Sequence, residues 1–319
     1  MGFWNVDADT LAGSRFVVSP MAETFAGLIC LHRTTADLSR ELRGAYRARL
    51  AADPVDAAVM DAVLRPRWIA DFASPVPLGT SFAEEAAVVR AASPARVRAD
   101  LITAFTAGRP SSSSFALSPL LDRDDLADRV ADLLTWVWEH VVEPDWEQRR
   151  RLILEADVVA RTRQLTLEGW AGALDRMRDG MRWLGEGRLQ INVLNHPPKD
   201  ISGTGLSFVP VTMSRGWVAR SPGRHAVIYQ CSGLLASPDA SLPGALGRLL
   251  GEGRARVLLE LGAPKSTTQL VAITGQGLGS VGRHLKILLE AGLVLRRRAG
   301  RSVLYARTPV GDALVLAAR

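Results

Sequence analysis

The stretch Gly275–Arg307, GQGLGSVGRHLKILLEAGLVLRRRAGRSVLYAR, constrains this chain more than any other. Gly275-Gln276-Gly277 is a turn signal. From Leu278 the apolar residues Leu278, Val281, Leu285, Leu288 and Leu289 recur at spacings of three and four, which is one face of a helix. The opposite face carries Ser280, Gly282, Arg283, Lys286 and Glu290. Gly292 marks the helix stop, where the backbone turns left-handed and glycine does so cheaply. Leu293–Arg298 and Ser302–Arg307 then follow as two short strand-like runs joined by Ala299-Gly300-Arg301. Ahead of the stretch, Ser266 and Thr267 can cap a short helix over Thr268–Ile273. Helix, glycine turn, helix and hairpin, in that order, describe a winged helix-turn-helix. Its second helix would enter a DNA major groove and its hairpin would lie along the phosphates. The rival reading is a small helical subdomain with a solvated basic hairpin.

The string Val281-Gly282-Arg283-His284-Leu285-Lys286-Ile287-Leu288, followed by Glu290-Ala291-Gly292-Leu293-Val294, resembles the recognition helix and wing start of ArsR-type bacterial transcriptional regulators. Those proteins often show V-S-R-H-L-K-x-L-x-x-A-G-L-V there. Gly282 stands where the family usually has Ser, and Gly277 and Gly279 replace polar residues near the helix start. Glycine has no side chain to offer a base edge, so readout should be thinner here and backbone contacts heavier. Arg15–Thr24 (RFVVSPMAET), Gly205–Pro210 (GLSFVP) and Val227-Ile228-Tyr229 resemble a group of these regulators with a large extra N-terminal domain.

At 319 residues the chain is long enough for two or three domains, each with a core. Its charge is uneven. Residues 241–319 hold twelve Arg and Lys against four Asp and Glu, net +8; the whole is +6, so residues 1–240 carry −2. That asymmetry fits a terminal domain that meets an anionic polymer. Two distant cysteines, Cys30 and Cys231, make a disulfide framework implausible and favour a reducing compartment. Met1–Ser19 has acidic residues and no long apolar run, so no signal peptide is expected, and no segment reaches the apolar length of a membrane span. A soluble, cytoplasmic protein is expected.

The first 180 residues pattern as helices, at about 20–32, 35–50, 53–64, 81–91, 94–105, 122–142, 144–162 and 166–177. Gly108–Ser114 is a flexible connection. After Arg182 the character changes. Leu189–Val193, Gly205–Thr212, Trp217–Ala219 and His225–Gln230 are strand-like, and His196–Asp200 is a turn. The expected architecture is mainly α with small β elements: a helical N-terminal domain over 1–240 ending in a small antiparallel sheet, then a C-terminal winged helix-turn-helix over 241–319. Ser237–Pro243 is the expected linker.

Local metal sensing is not expected. The helix before the recognition helix has no Cys, His, Asp or Glu, and no two of His32, His140, His196, His225 and His284 have ligand spacing. No phosphate loop, nucleophile elbow or metalloprotease motif appears, so no enzyme and no cofactor is expected. All eight tryptophans precede residue 218, and Trp136, Trp138, Trp170 and Trp183 are candidates for an effector pocket, with core or interface packing as the plainer role.

The DNA-contact candidates are Thr267, Thr268 and Gln269 for phosphate, through side chains and the N–H groups of a helix start. On the recognition helix they are Ser280, Arg283, His284 and Lys286. Arg283 suits a guanine edge or a phosphate, and His284 either the groove or the helix packing. On the wing they are Arg296 and Arg298, which share a strand face, and Arg301 at the tip. The resemblance implies repression; a homodimer on an inverted-repeat operator of double-stranded DNA is expected from the way paired recognition helices meet successive major grooves, and the size and tryptophans of the N-terminal region make a small-molecule effector a candidate further partner. The alternative is a winged-helix protein-interaction module without specific DNA binding.

Overall fold

The computed structural model describes residues 2–33, 38–107, 117–175, 177–194, 196–213, 216–231, 244–262, 264–299 and 302–317. The connections read over 108–114 and 237–243, and the hairpin tip at Gly300 and Arg301, lie outside them. Along the chain run β1 (Gly2–Asn5), α1 (Ala8–Ala12), β2 (Arg15–Phe16), α2 (Pro20–His32), α3 (Arg40–Ala52), α4 (Pro54–Val63), α5 (Phe82–Arg90), α6 (Pro94–Ala107), α7 (Ser118–Leu121), α8 (Leu126–Val137) and α9 (Arg151–Asp175). Then come β3 (Arg182–Trp183), β4 (Arg188–Asn192), β5 (Lys199–Asp200), β6 (Gly205–Val211), β7 (Val218–Ser221), β8 (Arg224–Gln230), α10 (Gly244–Leu250), α11 (Glu252–Glu260), β9 (Lys265–Ser266), α12 (Thr267–Thr274), α13 (Leu278–Glu290), β10 (Val294–Ala299), β11 (Ser302–Arg307) and α14 (Pro309–Ala317). Two compact units emerge: Met1–Pro144 with Leu174–Gln230, and Asp145–Ala173 with Cys231–Arg319. The fold is mainly helical with small sheets, as expected.

In the first unit α2 is buried on every side, from Pro20 to Leu31. Its sequence, PMAETFAGLICLH, explains this: apolar residues fall on every face, and the polar Glu23 and Thr24 among them are hydrogen-bonded inside the protein. Gly27 lets its neighbours close in, since a Cβ there would stand 3.3–3.4 Å from Met213 Cε, Val137 Cγ1 and Val141 Cγ1. Ser19 caps the helix, its Oγ accepting from Ala22 N at 2.9 Å. The buried Glu23 accepts from Thr212 N at 2.8 Å and from the Thr212 hydroxyl, tying α2 to the end of β6.

The single antiparallel sheet expected after Arg182 is instead two mixed four-stranded sheets, ordered β3-β4-β1-β5 and β2-β6-β8-β7. β1 pairs antiparallel with β4 and parallel with β5. β6 runs parallel to both β2 and β8, and β7 is antiparallel to β8. Lys199–Asp200, expected in a turn, is a strand. The runs Leu206–Val211 and His225–Tyr229 are buried throughout, because central strands lose the alternation of a half-exposed ribbon. A two-residue strand has no period to detect, and remote partners recruit it.

His225 on β8 is 5% exposed, with Trp4 edge-on at 5.4 Å. Thr204 Oγ1 gives its proton to Ile201 O at 2.6 Å, so at 3.1 Å from His225 Nδ1 it accepts, which places the imidazole proton on Nδ1. Burial first, then the charges of Lys199 and Arg220, push this imidazole down to about 4. A folded-state value below the unfolded one gives stability that is present above pH 6.5 and is lost as pH falls from there toward 4. The expected loss across that window is about 3 kcal/mol. It should show as a falling urea midpoint that His225→Gln flattens between pH 6.5 and 5. Equal slopes in the two proteins would remove His225 as the coupled group.

In the second unit, α9 is broken at Gly169, whose φ of 68° and ψ of −175° no side-chain-bearing residue adopts cheaply. The terminal part of this unit is a winged helix. Its core is Leu246, Ala255, Val257, Leu258, Leu261, Leu270, Val281, Leu285, Leu288, Val294 and Val315. The wing is the antiparallel hairpin of β10 and β11, and β9 adds a third strand against β11.

Candidate nucleic-acid interface

Local chemistry sets up the helix-turn-helix. Ser266 and Gln269 form a capping box at the start of α12: Gln269 N donates to Ser266 Oγ at 3.2 Å, and Ser266 N donates to Gln269 Oε1 at 2.8 Å. Gly275 ends α12 at φ 68°, the left-handed stop the turn needs. Gly277 begins α13 without a side-chain cap, and Gly292 at φ 68° closes it. Val281, Leu285 and Leu288 bury, and so fix which side of α13 is left to solvent.

That outer side carries Gly279, Gly282, Arg283, Lys286 and Glu290, all exposed. Lys286 Nζ stands 3.9 Å from Glu290 Oε1, both side chains mostly in water, so their mutual attraction is small. On the wing Arg296, Arg297 and Arg298 are each exposed, opposite Tyr305, Leu304 and Val303. Among the described residues no carboxylate pairs with Arg283 or with these three arginines. α13 and β10 thus each carry exposed cations, Arg296 and Arg298 on one face of the strand and Arg297 on the other. β10 is also the sheet edge, and a charged edge resists pairing with another strand. Arg301 lies outside the described residues.

Among the expected contacts, Gln269, Ser280 and His284 are engaged within the protein. The Gln269 side-chain oxygen is bound to Ser266 N, so it serves the cap. Thr267 is half-buried and Thr268 is exposed beside it. His284 turns toward α11 and away from the outer face: a Cβ at Gly253 would stand 2.8 Å from its Nε2. Nε2 lies 3.2 Å from Ser280 Oγ, and Nδ1 is buried with no hydrogen-bond partner among the described residues. Burial, then the charges of Arg254 and Arg283, lowers this imidazole below its ordinary value. Ser280 is therefore engaged by His284, half-buried at the edge of the outer face. Helical geometry explains the pair, since residues four apart are stacked neighbours. Leu278 departs from its stripe: it is 63% exposed, beyond the end of the core.

The tryptophans do not converge on one pocket. Trp136 stacks on His140 at 4.5 Å, with Tyr46 at 6.2 Å. Trp138 stacks on Phe82 at 4.8 Å and lines an open groove with Ala86, Arg90, Thr135 and Glu139. Two residues apart on a helix point roughly 200° apart, which separates these two rings. Trp183 lies in β3, and Trp170 belongs to the second unit. Among the described residues no group of three or more His, Cys, Asp or Glu could hold a metal ion, and no described helix is long and apolar enough to cross a membrane.

A family model described as bacterial regulatory protein, arsR family, matches residues 253–295, from α11 through α12 and α13 to the first residues of β10. No curated protein and no solved structure matches the chain.

Proposed function

The chain carries a helix-turn-helix domain of the arsR family of bacterial regulatory proteins, and from that premise we propose a cytoplasmic, sequence-specific DNA-binding transcription regulator that represses by occupying its operator. The observation that carries the reading is that Arg283, Lys286 and Arg296 to Arg298 are all exposed on the recognition helix and wing of a winged-helix scaffold. Residues 241–319 are the DNA-binding part. Residues 1–240 sense a small molecule or hold the dimer, and the groove beside Trp138 is one place where an effector could sit. If residues 1–240 take the sensing role, a homodimer through α10 and α14 is the reading supported by Leu249, Val310 and Leu316, which are 63–67% exposed. Such a dimer needs an inverted repeat with half-site centres about one helical turn apart.

Retardation of the DNA upstream of its own gene, against competitor DNA over a salt series, tests the reading. Affinity should fall with a log–log slope of roughly −0.9 per phosphate contacted. Indifference to both sequence and salt would leave a protein-interaction module instead. Arg283→Ala should cost about 1–3 kcal/mol on the preferred site and relax preference there, whereas Arg298→Ala should weaken all sequences alike and flatten the slope by about one. If both variants lose affinity equally on every sequence, the division between base and phosphate contacts is wrong.

A further inference from the structure

Leu278 is the first residue of α13 and belongs to the apolar stripe by spacing, yet it is 63% exposed while Val281, Leu285 and Leu288 are 0–2% exposed. The core ends one turn after the helix begins, so this side chain overhangs it. Gly277 and Gly279 flank it, Gly282 follows one turn on, and a Cβ at any of the three would meet no atom within 4 Å. The leading end of the helix is therefore bare backbone with one large apolar side chain in the open. Isolated exposed leucines are common on protein surfaces and mean nothing by themselves. Here the leucine lies at the end of a recognition helix whose first residues meet base edges. The apolar group on a base edge in the major groove is the C5 methyl of thymine.

Resting on the DNA-binding reading above, we propose that Leu278 is a specificity residue that packs on a thymine methyl, and that it selects an A·T pair where the start of α13 meets the groove. The missing side chains at Gly279 and Gly282 let the groove approach the helix closely enough for that contact. Burying a few methyl and methylene groups in the groove is worth about three- to tenfold in affinity.

The full-length protein is first used to select binding sites from a pool of random duplexes. Deoxyuridine, which keeps the hydrogen-bonding edge and lacks the methyl, then replaces each thymine of the selected half-site in turn. For the unaltered protein one position per half-site should lose about three- to tenfold. Leu278→Ala should lose the same factor on the thymine duplex and be indifferent to uracil at that position. An exposed alanine in a first helical turn leaves folding intact. If no sequence is selected, the DNA-binding reading fails and this inference fails with it. If a sequence is selected but no uracil substitution matters, or uracil weakens both proteins equally, DNA binding stands and the role of Leu278 is overturned.

Discussion

Glu85→Ala should destabilise the first unit by about 3–5 kcal/mol, one of the largest effects expected from a single side chain here. Glu85 is 2% exposed, and its carboxylate collects donors from two segments. Oε2 accepts from Ser19 Oγ at 2.6 Å and Met21 N at 3.3 Å, and Oε1 accepts from Leu78 N at 2.5 Å and Gly79 N at 2.9 Å. The charge sits against the first turn of α2, where the helix dipole favours an anion. Alanine would leave the buried Ser19 hydroxyl and Met21 N–H without that acceptor, while the Leu78 and Gly79 N–H groups lie in an exposed loop. Glutamine would keep the shape but turn an NH2 toward N–H groups, so Glu85→Gln should rescue only part of the loss. Urea denaturation of the three proteins decides this. A midpoint for Glu85→Ala close to the unaltered protein's would show that the carboxylate holds nothing together.

The second large effect is expected from Gly311→Ala, which should destabilise the winged helix by about 3 kcal/mol. The cause is space, since a Cβ on Gly311 would stand 2.2 Å from the Leu293 carbonyl oxygen. That carbonyl accepts from Thr308 N at 3.0 Å, and Thr308 Oγ1 binds Gly292 O at 2.7 Å, so the first turn of α14 is clamped to the start of the wing. The clash is with backbone, which cannot swing aside as a side chain would. The methyl therefore has to push α14 away, break the clamp and draw Val315, 2% exposed, out of the core. Amide hydrogen exchange should show protection lost over residues 244–317, with DNA affinity falling as the folded fraction falls. Unchanged protection there would mean that α14 yields at no cost.

Much of the winged helix was legible in the sequence because its signals are local. Val281, Leu285 and Leu288 lie within two turns of one helix, Gly275 and Gly292 stop α12 and α13, and Arg296–Arg298 announce a strand that no core would accept. Long helices such as α2 and α8 declared themselves for the same reason. Position within the site was less legible. Leu278 and Leu285 sit in one stripe, but only the length of the neighbouring core decides which is covered. His284 and Arg283 are adjacent polar residues, and the lack of a side chain on Gly253 draws one inward and leaves the other out. Gly311 carries no sequence mark separating it from Gly282, though a methyl fits freely at one and is excluded at the other.

By itself, then, the sequence determined what repeats over a turn or more: which segments are helices, where glycine stops them, and that the basic charge gathers on a terminal helix and hairpin. Periodicity and charge are properties of neighbours along the chain, so no tertiary contact is needed to see them. Only the tertiary structure decided that Gly2–Asn5 and Lys199–Asp200 join Arg188–Asn192 in one sheet while Arg15–Phe16 enters another, that Glu85 gathers Ser19 and Leu78, and that Leu278 stays in the open. Strands of two to five residues carry no period, and a buried carboxylate is chosen by donors that lie up to 66 residues away. Those features follow from which backbone and side-chain groups are left to be satisfied once the helices have packed, and the folded chain alone contains that information.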